Sequence, residues 1–286
     1  MKKVLINGFF RSGTSAVWDN IKKSNPGTGV FYEPCHPELI KFVMSDEELN
    51  SLHGIELWQE YRIFGQKLLS KHPYIGCSAY GKRVESYVEL FEEYSRNNNK
   101  NLVLQSNRWH FELGNFLEQG YGVVHVVRSP KDVLLSMKTA YTSRESSRFA
   151  QFLKRILINY NVSGFWEFGS LMDYLTAIHS CESLRNGAKR NAFSLGLEEQ
   201  FILIWTLVNY YAIRMLEKNE KGSVVSYEKL GDDDFAVDFF GKYDLAWTRS
   251  YFRKTNVDCN QYDYYRKIAN ELDILKEYEA VIDVLV

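Results

Sequence analysis

Proline is scarce, with five residues in 286. No Pro/Gly/Ser-rich stretch divides the chain, and no repeat or low-complexity tract occurs, so a single domain spanning residues 1–286 is the simplest expectation. Charge of one sign is also lacking. Lys and Arg number 35 against 36 Asp and Glu, for a formal net charge of −1. Without a long basic run there is no footprint for a nucleic-acid backbone, whose affinity comes from clustered cations. A long apolar run is missing too. The longest, Phe201 to Ile213, falls short of the roughly 20 residues needed to cross a bilayer and contains Asn209, so it reads as a buried helix. The four cysteines, Cys35, Cys77, Cys181 and Cys259, form no C-x-x-C pair. That gives no sign of a zinc site or a dithiol and fits a reducing, cytoplasmic setting. The N-terminal basic head and apolar run are cut short by Arg11, with no small-residue cleavage site after them.

What the sequence does contain is an ordinary globular composition, 45% hydrophobic and 25% charged, with short apolar runs separated by helical patterns. Strands are expected at Val4–Asn7, Val30–Tyr32, Leu102–Gln105, Val123–Val127 and Val224–Tyr227. Helices are expected at Thr14–Lys23, Asp46–Ser70, Val84–Arg96, Pro130–Ala140, Ser170–Leu184, Leu197–Lys218 and Tyr262–Ala280. Strands alternating with helices imply an α/β fold with a central parallel sheet covered on both faces. Ligands of such sheets bind beyond the carboxyl ends of the strands.

The first such end is informative. Gly8-Phe-Phe-Arg-Ser-Gly-Thr-Ser15 follows a strand and opens a helix, the context of a phosphate-binding loop. Loop N–H groups and the helix dipole favour an anion there, and Arg11 adds a fixed cation. Thr14 stands where a nucleotide triphosphatase has Lys. The later strands end in Arg128 and Gln105 rather than in the Asp that helps hold Mg²⁺, so triphosphate hydrolysis is disfavoured. A second cationic segment, Val127-Arg-Ser-Pro-Lys-Asp-Val-Leu-Leu-Ser136, puts Arg128 at a strand end and Ser136 about two helical turns on.

Arg11-Ser-Gly-Thr-Ser15 and Val-Arg128-Ser-Pro-Lys-Asp-Val…Ser136, each after a strand, together with Val225-Ser-Tyr-Glu-Lys-Leu230, resemble the signatures of sulfotransferases. These enzymes use 3′-phosphoadenosine-5′-phosphosulfate (PAPS) and release adenosine 3′,5′-bisphosphate. The resemblance runs from residue 3 to about 255 and is closer to the bacterial, glycan-type and tyrosine-type branches than to the cytosolic small-molecule branch. It implies that Arg11, Ser12, Gly13, Thr14 and Ser15 hold the 5′-phosphosulfate. Arg128 and Ser136 would hold the 3′-phosphate, joined by the looser match Arg253 and Lys254, and Tyr227 would lie beside adenine. It implies a P-loop NTPase-like sheet and no metal requirement. Two departures stand out: Arg11 replaces a frequent Lys, and Ala16 occupies the place of an adenine-stacking Trp, with Trp18 expected in the core.

Sulfuryl transfer needs cations and amides where charge builds on the leaving phosphate oxygen, a role for Arg11 and the loop, and a base for the acceptor's proton. Glu33, at a strand end before Pro34, is the first candidate base, because related branches place a carboxylate there. His110 and His36 are the alternatives. The cytosolic branch has its His where this chain has Asn107, with His110 three residues on. Arg108 is a candidate contact for the cofactor or an anionic acceptor. Tyr141, Phe165, Trp166 and Trp205 fall in the helical middle, where the resemblance puts the acceptor pocket. The expected acceptor is a glycan or small-molecule hydroxyl, and the lack of a membrane anchor favours a cytoplasmic enzyme. A kinase with a degenerate loop and a non-catalytic nucleotide-binding relative are the competing readings.

Overall fold

The computed structural model describes residues 1–36, 39–45, 57–72, 82–143, 195–248 and 260–286. Five short, apolar segments form the sheet: β1 (Lys3–Gly8), β2 (Gly29–Tyr32), β3 (Leu102–Ser106), β4 (Gly122–Val127) and β5 (Gly222–Ser226). Their order is β2-β3-β1-β4-β5, and every pairing is parallel. This is the α/β architecture expected from the alternating pattern.

Alternation along the strands divides two cores. In β1, Val4 and Ile6 pack with Val103, Val124 and Val126 on one face. Leu5 packs with Leu102, Leu104 and Val123 on the other. Burial on both faces explains why these strands read as continuous apolar runs. Helix α1 (Thr14–Ser24) covers the first face through Val17, Trp18 and Ile21, so Trp18 is a core residue. The next helices are α2 (Leu39–Met44), α3 (Gln66–Lys71), α4 (Lys82–Asn97) and α5 (Leu113–Glu118), followed by α6 (Pro130–Ser143). Val133, Leu134 and Met137 of α6 pack on the second face, with Phe201, Trp205 and Val208 of α7 (Leu197–Leu216). The apolar run at Phe201 is thus a buried helix, and among the described residues no helix is long and apolar enough to cross a membrane. Helices α8 (Asp233–Gly241), α9 (Asn260–Glu271) and α10 (Leu275–Leu285) complete the chain.

Two expected helices are broken. Of Asp46–Ser70, the described part is a 3-10 turn over Gln59–Phe64 and then α3, separated at Gly65 with φ 49°. The C-terminal helix divides at Asp273, whose φ is 60°. The Ile274 N–H returns to the Ala269 carbonyl at 3.0 Å. The bend brings Ile268 of α9, Leu272 of the link, and Tyr278 and Val281 of α10 into one core. Helices α2, α5 and α8 fall outside the helices that the sequence pattern implies. Helix α8 begins at Asp232, whose carboxylate accepts from the N–H groups of Asp234 and Phe235, an ordinary N-cap. The segment Ser170–Leu184 lies outside the described residues.

Helices α1 and α6 follow adjacent strands β1 and β4 yet cover opposite faces. The loops leading into them therefore diverge and open a crevice at the carboxyl edge, the usual ligand position in an open α/β sheet.

Candidate functional site

Strand register sets the depth of the crevice. Asn7 is level with Ser106 and His125, Tyr32 with Gln105, and Val127 with Ser226. The loops that begin at Gly8, Glu33, Asn107, Arg128 and Tyr227 therefore leave the sheet side by side.

The Gly8–Ser15 loop is tight. A Cβ at Gly8 would stand 2.5 Å from Ser12 Oγ and 2.8 Å from the Val126 carbonyl oxygen. Gly13 has φ 93°, and a Cβ there would stand 2.1 Å from the Tyr227 ring. Only glycine meets both demands at position 13. Arg11 is left-handed as well, with φ 64°. Non-glycine residues held at positive φ carry strain that gathers at ligand sites.

The two cationic motifs meet here. Arg11 Nε donates to Ser136 Oγ at 3.0 Å, and Arg128 Nη1 donates to the Arg11 carbonyl at 3.1 Å. The Arg128 guanidinium lies 4.8 Å from the centre of the Tyr227 ring, the same ring that packs on Gly13. The Tyr227 N–H extends the sheet by donating to the Val127 carbonyl at 2.7 Å. Arg11, Gly13, Arg128, Ser136 and Tyr227 thus form one cluster from the ends of three strands. Glu228, given no role by the sequence, ties two of them: its carboxylate accepts from the Ser129 N–H at 3.2 Å and from Ser226 Oγ at 2.9 Å.

The loop hydroxyls are used differently. Thr14 Oγ1 turns inward and donates to Asn107 Oδ1 at 2.6 Å. Ser15 Oγ shares a 2.8 Å hydrogen bond with the Tyr32 hydroxyl. Ser12 Oγ is buried and finds no partner among the described residues, as does Arg128 Nε.

Glu33 sits at the end of β2 with φ 46° and is 2% exposed. Its Oε1 accepts the Asn107 N–H at 3.0 Å, and its Oε2 lies 3.4 Å from Arg108 Nε. Burial pushes the carboxyl up from its usual range, and the Arg108 guanidinium pulls against that. Arg108 also covers the Phe10 ring of the phosphate loop at 5.2 Å. Tyr32 joins the halves of the site, since its hydroxyl feels the charges of Glu33, Arg11 and Arg108. Asn107 and Tyr32, like Glu228, belong to the site without any role marked by a sequence motif. Asn107 was visible only as the residue standing where another branch has its His.

The alternative bases border this cluster: the His36 N–H donates to the Glu33 carbonyl at 2.9 Å, and His110 feels Asn107 and Arg108. His110 is fully buried. The Asn7 carboxamide meets His110 Nδ1 at 3.0 Å and His125 Nδ1 at 2.9 Å, and His125 Nε2 is 2.9 Å from Asn209 Oδ1. Burial holds His110 well below the usual imidazole range and His125 at about 4. Both rings are neutral near pH 7 and buried beneath the loop. The His36 ring packs against Trp58 with centroids 4.6 Å apart and planes tilted by 47°. Trp205 is fully buried in the core. Arg253, Lys254, Phe165 and Trp166 lie outside the described residues, as does the Tyr141 side chain.

The arrangement offers two arginines and a helix N-terminus to an anion, beside a buried carboxyl of raised proton affinity. No protein-family model matches the chain. It is 27% identical over 248 residues to an uncharacterized protein of Archaeoglobus fulgidus, covering 80% of this chain and 79% of that one. Among solved structures it is similar to the sulfotransferase domain from the curacin biosynthetic pathway, with a TM-score of 0.44 and 9% identity over 99% of this chain and 97% of that one.

Proposed function

We propose that this chain is a sulfotransferase that takes PAPS as donor and a hydroxyl compound as acceptor. The observation that carries the reading is the meeting of the two cationic motifs, with Arg11 on Ser136 and Arg128 on the Arg11 carbonyl. These residues are far apart in sequence, and a ligand with two separate anionic groups gives a reason for their convergence.

The residues present fit such a donor. Ser12 Oγ and Arg128 Nε are buried polar atoms without partners among the described residues, and buried donors of this kind are rarely left unsatisfied. The left-handed Gly13 keeps the loop backbone free of a side chain where the anion would approach. The first N–H groups of α1 have no intrahelical partners and carry the positive end of the helix dipole. Bound PAPS would supply the sulfuryl group and leave as adenosine 3′,5′-bisphosphate.

Within this reading Arg11, the loop amides and Ser15 hold the 5′ anion and stabilise charge on the leaving oxygen. Arg128 and Ser136 hold the 3′-phosphate, and the Tyr227 ring flanks the purine. Glu33 takes the acceptor's proton at its carboxylate, whose proton affinity burial raises above that of an exposed Glu. Thr14 anchors the loop to Asn107 with its side chain and gives the anion only its N–H.

Thermal unfolding with adenosine 3′,5′-bisphosphate, and separately with ATP and Mg²⁺, tests the donor. A ligand that binds only the folded state raises stability by about 2.7 kcal/mol at one hundred times its Kd. Stabilisation by the bisphosphate is the expected result. Stabilisation by ATP–Mg²⁺ alone would replace the sulfotransferase with a kinase, and a response to neither would leave a non-catalytic relative.

A further inference from the structure

Arg108 is the arginine of this cluster that the two cationic motifs do not include. Its backbone N–H donates to Ser106 Oγ at 3.2 Å, which fixes the turn leaving β3. Its side chain is 9% exposed and faces a Glu33 side chain that is 3% exposed. Two charges buried this far do not persist singly, because an isolated buried carboxylate neutralises itself by taking up a proton. The guanidinium is pinned from the other side by the Phe10 ring, an arrangement that suits a planar delocalised cation better than an ammonium.

The other groups that bond the Glu33 carboxylate among the described residues are neutral. Asn107 donates its N–H to the carboxylate and the Gln105 side chain donates as well. The Tyr61 phenol, held neutral by burial, feels the Glu33 charge, as does Tyr32. Arg108 is therefore the cation set directly against Glu33 among the described residues.

We propose that Arg108 is a positioning residue for the base, its guanidinium holding the Glu33 carboxylate ionised and fixed between β2 and the phosphate loop, and that it is not an anchor for the donor. This rests on the reading of Glu33 as base. The role is distinct from those of Arg11 and Arg128: Arg108 acts through Glu33 and contributes charge to a proton acceptor rather than to an anion.

The experiment follows the Glu33 carboxyl by ¹³C NMR across pH in the full chain, with the resonance assigned by its loss in Glu33→Gln. Arg108→Gln should move the midpoint upward by about one unit or more, a tenfold rise in proton affinity. Arg108→Lys should restore most of the shift. The Arg108→Gln protein has a way to stay folded, because Glu33 protonates and removes the uncompensated charge. In parallel, the Kd for adenosine 3′,5′-bisphosphate should change less than threefold in Arg108→Gln. An unmoved or lowered midpoint would overturn the proposal, as would a tenfold weaker Kd in both variants with the midpoint unchanged, which would make Arg108 a donor anchor. The reading of Glu33 fails separately, if Glu33→Gln consumes PAPS as fast as the parent chain.

Discussion

Gly13 combines φ 93° with an aromatic ring at the place of a Cβ, so a single methyl group tests the whole loop. Gly13→Ala must either displace Tyr227 or distort the turn. Strain of about 1–3 kcal/mol is expected, visible as a lower Tm, together with at least tenfold weaker bisphosphate binding by calorimetry. Parent-like binding would show that the turn is not the anion site. Glu33→Gln makes the opposite separation. It keeps the shape of the side chain but cannot accept a proton, so bisphosphate binding should hold within threefold while PAPS turnover falls by about 10²-fold or more, the usual weight of a general base. Equal losses in both would make Glu33 part of the binding surface instead.

At the scale of elements, the crevice depends on how β5 is tied to the start of α6. Glu228 does this by accepting from Ser129 and Ser226. Arg128 lies directly before Ser129, so the tie also fixes the arginine that meets Arg11. Glu228→Ala should destabilise the fold by about 1 kcal/mol, as loss of a helix-start acceptor does, and raise the Kd for the bisphosphate several-fold. Chemical denaturation and titration calorimetry measure the two effects. A stability loss with unaltered binding would confine Glu228 to the scaffold.

For the molecule as a whole, the buried chain from His110 through Asn7 and His125 to Asn209 links β1, β4, α7 and the turn after β3 below the site. His125 is held at about 4 by burial, and His110 is also depressed. Folded, these rings bind protons less readily than in the unfolded chain. Stability is therefore present in full above about pH 6.5, the unfolded value, and drains as pH falls from there toward 4. The His125 shift alone is worth on the order of 3 kcal/mol. Denaturation midpoints measured from pH 7 to pH 4 should fall steeply in the parent chain and less steeply in His125→Asn. Identical slopes would show that carboxylates elsewhere govern acid unfolding.

Much of this was legible in the sequence, because local signals fixed it. Runs such as Val4–Asn7 and Val123–Val127 are strands by their apolar continuity. The glycines around Arg11 mark a turn between strand and helix, and Pro130 marks a helix start. These signals imply a parallel sheet with anion-binding chemistry at its carboxyl edge. Strand order and packing decided the rest. Register and the turn after β3 put Asn107 between Thr14 and Glu33, and Arg108 between Glu33 and Phe10. The break at Gly65 has a local signal, a glycine at φ 49°, whereas the one at Asp273, φ 60°, falls at a residue whose type does not announce it. His110 is a catalytic alternative by its position after the third strand, and only the tertiary structure shows it buried beside Asn7. A residue's type and spacing announce what chemistry it is capable of, whereas its burial and partners, set by contacts across the whole chain, decide whether that chemistry faces a ligand.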